Sequence, residues 1–208
     1  MSGSKSYADV LARLRSAYDA SAANRDTQSK SDWKVAERRA FLERLRSEGK
    51  TRLLELGAGT GQDSLFFQEQ GLDVVATDAS PQMVAKCREK GLDAHVMDFM
   101  SLSFAPESFP AAYALNCLLH VPNADMPAVL GAIRAVLEPR ALLYIGVYGG
   151  DSFEGVKPND WHDPPRFFSI RTDDELLQMT APYFDVVDFH VVESESDGRF
   201  QALTVRRV

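Results

Sequence analysis

The residues best suited to binding and reaction gather in a few short stretches. The first is Glu55-Leu56-Gly57-Ala58-Gly59-Thr60-Gly61, directly after an apolar run. Glycines here let the backbone turn sharply and let a ligand approach without meeting a side chain. The helix predicted to follow offers free backbone N–H groups at its start. A dinucleotide fingerprint spaces its glycines as GxGxxG. Here the third glycine comes one residue early, at Gly61, and Gln62 occupies the fingerprint position. No Gly-Lys-Ser/Thr phosphate loop is present either. Asp78 follows about twenty residues later, where an acid accepts both hydroxyls of a ribose. Asp98, with Phe99 beside it, suits an adenine amino group and ring face. Three acids, Glu55, Asp78 and Asp98, would repel a pyrophosphate but accommodate a cationic nucleoside. Asp63, inside the next helix, is expected to matter far less to ligand binding than Asp78.

These residues must be held by alternating elements. Residues 6–22 and 33–48 carry apolar positions at helical spacing, and the polar stretch 23–32 between them is expected to be a mobile connection. Strands are predicted at Arg52–Leu56, Leu72–Thr77, Ala94–Met97, Ala111–Asn116 and Ala141–Val147. Helices fall between them, one opened by Ser80-Pro81 as N-cap and first turn. Successive strand–helix crossovers mean a parallel sheet with right-handed connections. The nearly continuous apolar run of the fifth strand places it centrally. Residues 148–171 read as a long loop, and a loop of that length is usually functional. Thr172-Asp-Asp-Glu175 is a capping box opening the last helix. Phe184–Val192 and Arg199–Val205 are two strands, with the charged run Glu193–Gly198 as the loop of an antiparallel hairpin. The fold class is therefore α/β: a mostly parallel sheet with an antiparallel last pair, plus N-terminal helices.

The 208 residues suit one domain, divided into an N-terminal helical cap (1–48), a body, and a lid-like insertion (148–171). At 45% hydrophobic and 25% charged, the composition is that of a globular protein needing no disulfide or metal for its core. No apolar run matches a membrane span or the core of a signal peptide, and the two isolated cysteines exclude a zinc ribbon or disulfide framework. A cytoplasmic location, no membrane partner, and a monomer or homodimer are expected. Net charge is −7 but uneven: residues 1–50 are net +4, the remainder −11. The acidic body argues against nucleic acid as a partner. Arg38, Arg39, Arg44 and Arg46 read as the solvated face of a helix.

With these residues assembled, the sequence resembles the class I S-adenosylmethionine-dependent methyltransferases, the small-molecule bacterial type in particular. The matching segments are Leu53–Gly61, Val74–Ser80, Val96–Phe99 and Leu115–Pro122, within roughly residues 50–190. The resemblance implies a doubly wound seven-stranded sheet, mostly parallel with the last strand antiparallel, and S-adenosylmethionine as cofactor, bound across the tips of the first four strands. It implies Gly57, Gly59 and Gly61 beside the methionine part, Asp78 at the ribose, Asp98 and Phe99 at the adenine, and Asn116 at the amino-acid end. Glu55, Ala79, Met83 and Tyr18 complete the expected cofactor contacts. The family usually has Pro-Gly-Gly before the fifth strand; this chain has Pro139-Arg140-Ala141, on the side away from the ligand.

Methyl transfer from a sulfonium is an in-line displacement, and a base is needed only where the acceptor must lose a proton. His120, leaving the fourth strand, is the candidate catalytic base, against a purely structural role. Trp33, Tyr148, Trp161, Arg166 and Phe168 are the candidate substrate contacts, Arg166 for a carboxylate. Leu115-Asn-Cys-Leu-Leu is not the Asn/Asp-Pro-Pro-aromatic signature of adenine or glutamine methylation. Asp163-Pro164-Pro165-Arg166-Phe167 matches it only superficially, after the wrong strand. His162 with Asp160 and Asp163 reads as a solvated loop, so no metal is expected. The acceptor is expected to be a small molecule methylated on O, N or C; the alternatives are a tRNA- or protein-directed enzyme, or a non-catalytic scaffold that binds the cofactor.

Overall fold

The computed structural model describes residues 6–157, 159–194 and 198–208. Two helices, α1 (Tyr7–Asp26) and α2 (Asp32–Ser47), precede the alternating body. The body runs β1 (Arg52–Leu56), α3 (Gln62–Glu69), β2 (Asp73–Asp78), α4 (Pro81–Glu89), β3 (Asp93–Val96) and β4 (Phe109–Leu115). It continues through α5 (Met126–Val136), β5 (Leu137–Tyr148), a ribbon of β6 (Phe153–Val156) and β7 (Phe167–Ile170), α6 (Asp173–Thr180), β8 (Phe184–Ser194) and β9 (Gly198–Arg207). The main sheet has the order β3-β2-β1-β4-β5-β9-β8. Only β9 runs against its neighbours, pairing antiparallel with both β5 and β8. This is the seven-stranded, mostly parallel sheet with a reversed last strand that the sequence predicts. The Glu193–Gly198 hairpin call stands at its ends, where Ser194 pairs with Gly198; Glu195–Asp197 lie outside the described residues.

Alternation along each strand fills two core layers. Leu54, Leu56, Val75 and Leu143 pack on the α5 stripe of Met126, Val129, Leu130, Ile133 and Val136. Leu53, Val74, Tyr113 and Tyr144 pack on Phe41, Leu42 and Leu45 of α2 and Phe67 of α3. Both layers are sealed: these residues are at most 4% exposed, and each large side chain buried this way contributes about 1.5–3 kcal/mol. Caps set the helix starts: the Ser80 hydroxyl accepts from the Met83 N–H, and Thr172 and Glu175 form the capping box. Among the described residues no helix is long and apolar enough to cross a membrane.

Three expectations need correction. Residues 23–32 are not a mobile connection: α1 continues to Asp26, and the link beyond it is tied down. The Gln62 amide donates to the Gln28 carbonyl at 2.9 Å, and Lys30 reaches Asp63 at 2.6 Å. Residues 148–171 are not purely loop, because β6 and β7 pair from Phe153↔Ile170 to Val156↔Phe167. β5 begins four residues early and passes through the Pro139-Arg140 turn, where Arg140 takes φ +63°. Arginine there occupies the left-handed conformation that glycine adopts without strain.

Candidate active site

The parallel strands end on one edge, and the loops after β1 and β2 are tied to each other there. The Ala58 N–H donates to the Thr77 carbonyl at 2.9 Å. The Gly59 N–H donates to Asp78 Oδ2 at 2.8 Å, and the Ser80 N–H to Asp78 Oδ1 at 2.9 Å. Burial raises the Asp78 carboxyl pKa, and these two backbone donors work against that rise. The three glycines do different things. Gly57, at φ +65°, lies so close to β4's exit that an added Cβ would sit 2.4 Å from Cys117 Cβ. Gly59, at φ +57°, has open space where its Cβ would be. At Gly61 a Cβ would strike Leu92 and Cys87, so this glycine allows close packing of the turn on α4 and the segment after it, and it lines neither end of the cleft that runs along this edge.

Along this edge runs a cleft with chemically distinct ends that share Arg25, Gly57, Gly59, Leu115 and Asn116. One end is walled by Tyr7, Leu11, Leu14, Met97 and Phe99, with Asp78, Ala79 and Asp98 at its rim. Its apolar lining with a few polar groups at the rim suits a small ligand. The other end is polar, lined by Glu55, Thr60, Gln62, Asp63 and the Gln28–Ser31 link with Lys34. Asn116, at φ +53°, has its Oδ1 buried without a hydrogen-bond partner where the two ends meet. An adenosine with a cationic amino-acid arm fits this cleft: apolar walls for the base, Asp78 for the ribose, and an orphaned amide oxygen for an ammonium. Glu55 is buried, bonded to the Ser64 hydroxyl, and held above the usual carboxylate range by burial and by Asp63.

α1 forms the roof of the apolar end. Arg15 Nε donates to the Ala79 carbonyl at 3.1 Å, and its Nη2 lies 3.7 Å from Asp98. Asp19 accepts from Ser80 Oγ at 2.5 Å and from the Gln82 N–H at 3.1 Å. Behind α1, Val10 and Leu14 pack on Phe167 of the ribbon. Sequence reading missed Tyr7, Leu11, Leu14, Arg15 and Arg25 as cleft residues. The signal was present in the apolar spacing at Val10, Leu11, Leu14 and Tyr18, which covers more of the helix than one contact needs.

His120 also lines the cleft. Its Nδ1 lies 2.7 Å from the Phe167 carbonyl and its Nε2 2.7 Å from the Tyr18 hydroxyl. Burial pushes its pKa down to about 3. Arg166, expected to await a substrate carboxylate, is instead held by Asp160 at 2.7 and 2.9 Å and donates to the Tyr18 oxygen at 3.2 Å. Phe168 lies against His120, ring centroids 4.8 Å apart. Trp161 is 60% exposed and covers His162. His162 is therefore not on a solvated loop; it is buried, its pKa lowered to about 4 by burial and Arg166. Trp33 and Tyr148 pack on Phe200, and Met83 is buried under α4; none of the three lines the cleft. Asp63, expected to stand apart, is buried at the polar end between Lys30 and Arg38, which lie at 2.6 and 2.9 Å.

Residues 53–140 match a family described as methyltransferase domain. A demethylmenaquinone methyltransferase of Beutenbergia cavernae is 40% identical over 96 residues, 45% of this chain and 38% of that protein. A glycine/sarcosine/dimethylglycine N-methyltransferase of Actinopolyspora halophila is 41% identical over 64 residues, 29% of this chain and 11% of that protein. The chain spans less than half the length of the curated relatives it matches. In fold it is similar to the Burkholderia thailandensis 1,6-didemethyltoxoflavin-N1-methyltransferase, solved with bound 1,6-didemethyltoxoflavin and S-adenosylhomocysteine. That likeness has a TM-score of 0.77 at 24% identity and covers 98% of this chain and 91% of that one.

Proposed function

We infer that this chain, a member of the class I S-adenosylmethionine-dependent methyltransferases, binds S-adenosylmethionine in the cleft and transfers its methyl group to a small-molecule acceptor. The observation carrying this reading is the pairing, in one cleft, of a pre-set Asp78 carboxylate with the unpartnered Asn116 oxygen. When bound, the cofactor supplies an already activated methyl group on a good leaving group. The chain then has to hold, align and dry the two reactants.

Asp78 would take the ribose hydroxyls, Phe99 and Met97 the base, Asp98 its amino group, and Gly57 and Gly59 the close backbone approach. Glu55 and Asn116 would face the cationic arm at the polar end. α1 and the β6–β7 ribbon form the cover, α1 facing the cleft and the ribbon backing it. A narrow roofed cleft on an acidic body favours a small acceptor over a polynucleotide.

Titration calorimetry with S-adenosylhomocysteine tests the reading. The wild-type chain should bind. Asp78→Ala removes a charged acceptor worth about 1.5–3 kcal/mol per hydrogen bond, so affinity should fall roughly 10- to 150-fold. No binding by the wild type, or equal binding by the variant, would overturn it.

A further inference from the structure

We propose that Tyr18 is the group that touches the reacting hydroxyl or ring N–H of the acceptor and receives its proton, with His120 behind it as the proton's destination. The acceptor class is then a planar O–H or N–H acid, not an amine that reacts through a free lone pair. The proposal rests on the methyltransferase reading above.

The hydrogen-bond directions are forced. A backbone carbonyl only accepts, so the Phe167 carbonyl fixes the His120 proton on Nδ1. Nε2 is then a lone pair, and the Tyr18 hydroxyl must donate to it. Arg166 Nη1 donates to the same phenol oxygen, and Asp160 holds that guanidinium from the far side. One acceptor position remains on the Tyr18 oxygen. Tyr18 and His120 line the cleft together with Gly57 and Asn116, where the reacting end of the cofactor would lie. The side chains around the pair are flat: His162 stands edge-on to Tyr18 at 5.6 Å, and Phe168 lies 4.8 Å from His120.

The charge balance favours this route. A lone pair on the acceptor atom forms the bond to the methyl carbon, and the carbon–sulfur pair stays on sulfur. The pair of the broken O–H or N–H bond remains on the acceptor atom as its proton passes to Tyr18 Oη. Tyr18's own proton passes to His120 Nε2. One positive charge leaves sulfur and one appears on imidazole, so the buried charge is unchanged. Burial, with Arg166 and Arg25, holds the resting imidazole neutral: its Nε2 lone pair is free but weakly basic, and it takes the proton only beside the acceptor anion that the transfer itself creates.

The test uses para-nitrophenol, whose ionised form absorbs in the visible, titrated into the S-adenosylhomocysteine complex below the phenol's own pKa. The wild-type complex should bind the probe and develop the phenolate band. Tyr18→Phe keeps the ring but removes the oxygen, and should reduce the band about tenfold or more at saturating probe. His120→Gln keeps Tyr18 but removes the imidazole base, and should do the same, which a merely structural histidine would not. Calorimetry with S-adenosylhomocysteine alone comes first: no binding by the wild type overturns the cofactor reading itself. With cofactor binding intact, a complex that ignores the probe, binds it only as neutral phenol, or keeps its band in both variants overturns the assignment of Tyr18. If one variant fails to fold, the other carries the comparison.

Discussion

Asp63→Ala should be among the more damaging single changes at the polar end of the cleft, although it touches no residue of the glycine turn's ribose side. Asp63 is 4% exposed and holds Lys30 Nζ at 2.6 Å and Arg38 Nη1 at 2.9 Å. The partner side chains are only 16% and 13% exposed. Breaking a buried pair by removing one partner costs about 3–5 kcal/mol, because the orphaned charge stays desolvated. Two compensations pull the figure to the low end. Lys30 and Arg38 are near enough to the surface to gain water, and Glu55 loses the neighbour that disfavours its ionised form. A loss of about 3 kcal/mol lowers Tm by roughly 6–12 °C in a chain of this length. Thermal unfolding followed by circular dichroism reads it directly. Glu55→Gln should cost more in the Asp63→Ala background than in the wild type, since Glu55 then becomes the remaining anion for both cations. S-adenosylhomocysteine binding should weaken as well, because Lys30 anchors the link that lines the polar end. An Asp63→Ala protein melting within about 1 °C of the wild type would refute the clamp, since even the low end of the range predicts several times that shift.

Two further outcomes follow from the same geometry. Gly59→Ala meets no atom but must hold φ +57°, costing about 1–2 kcal/mol; Gly57→Ala carries that strain and a clash with Cys117 Cβ, so denaturant titration should rank it clearly the less stable. His190 lies 2.8 Å from Asp188 and 3.0 Å from Glu37, and these acids outweigh burial to raise its pKa in the fold. Its contribution is therefore fully present below the unfolded value near 6.5 and is lost as pH rises through the higher folded value. Glu37→Gln should flatten that part of the Tm-against-pH curve.

The turns that form the strand-end side of the cleft were largely legible in the sequence because their signals are local. The Gly57–Gly61 turn, Asp78 at a strand end and Ser80-Pro81 at a helix start each state their backbone geometry within a few residues, and the parallel character of the sheet follows from the alternation, although its strand order does not. The cluster around Tyr18 and His120 was not legible, because its contacts join distant segments. Tyr18 meets His120 across 102 positions and Arg166 across 148. Nothing in the spacing of Asp160, His162 and Arg166 says that the first will hold the third and leave the second buried beneath Trp161. Aromatic composition pointed to the 148–171 segment as a wall. It did not separate Phe168, which reaches His120, from Tyr148, which faces the other layer with Trp33. The ribbon was missed because β6 and β7 are four residues each, with ten residues between them.

The uneven charge of the chain gains its meaning from the fold. Read in sequence, the arginines of the second helix looked like a solvated face, and Arg46, on the surface beside Glu43 and Gln70, fits that reading. Arg38 does not: it lies over the Phe66 ring at 3.9 Å while bonding Asp63. Along the N-terminal segment Arg15 reaches toward Asp98, Lys30 and Arg38 hold Asp63, and Asp26 answers Lys90 of α4's C-cap at 2.5 Å. Arg15, Lys30 and Arg38, within the net +4 of residues 1–50, thus meet acids that the α/β body presents at both ends of the cleft, while Asp26 meets a lysine of that body. Surface pairs of this kind are individually weak, but Asp63 is buried, so the clamp at the polar end dominates.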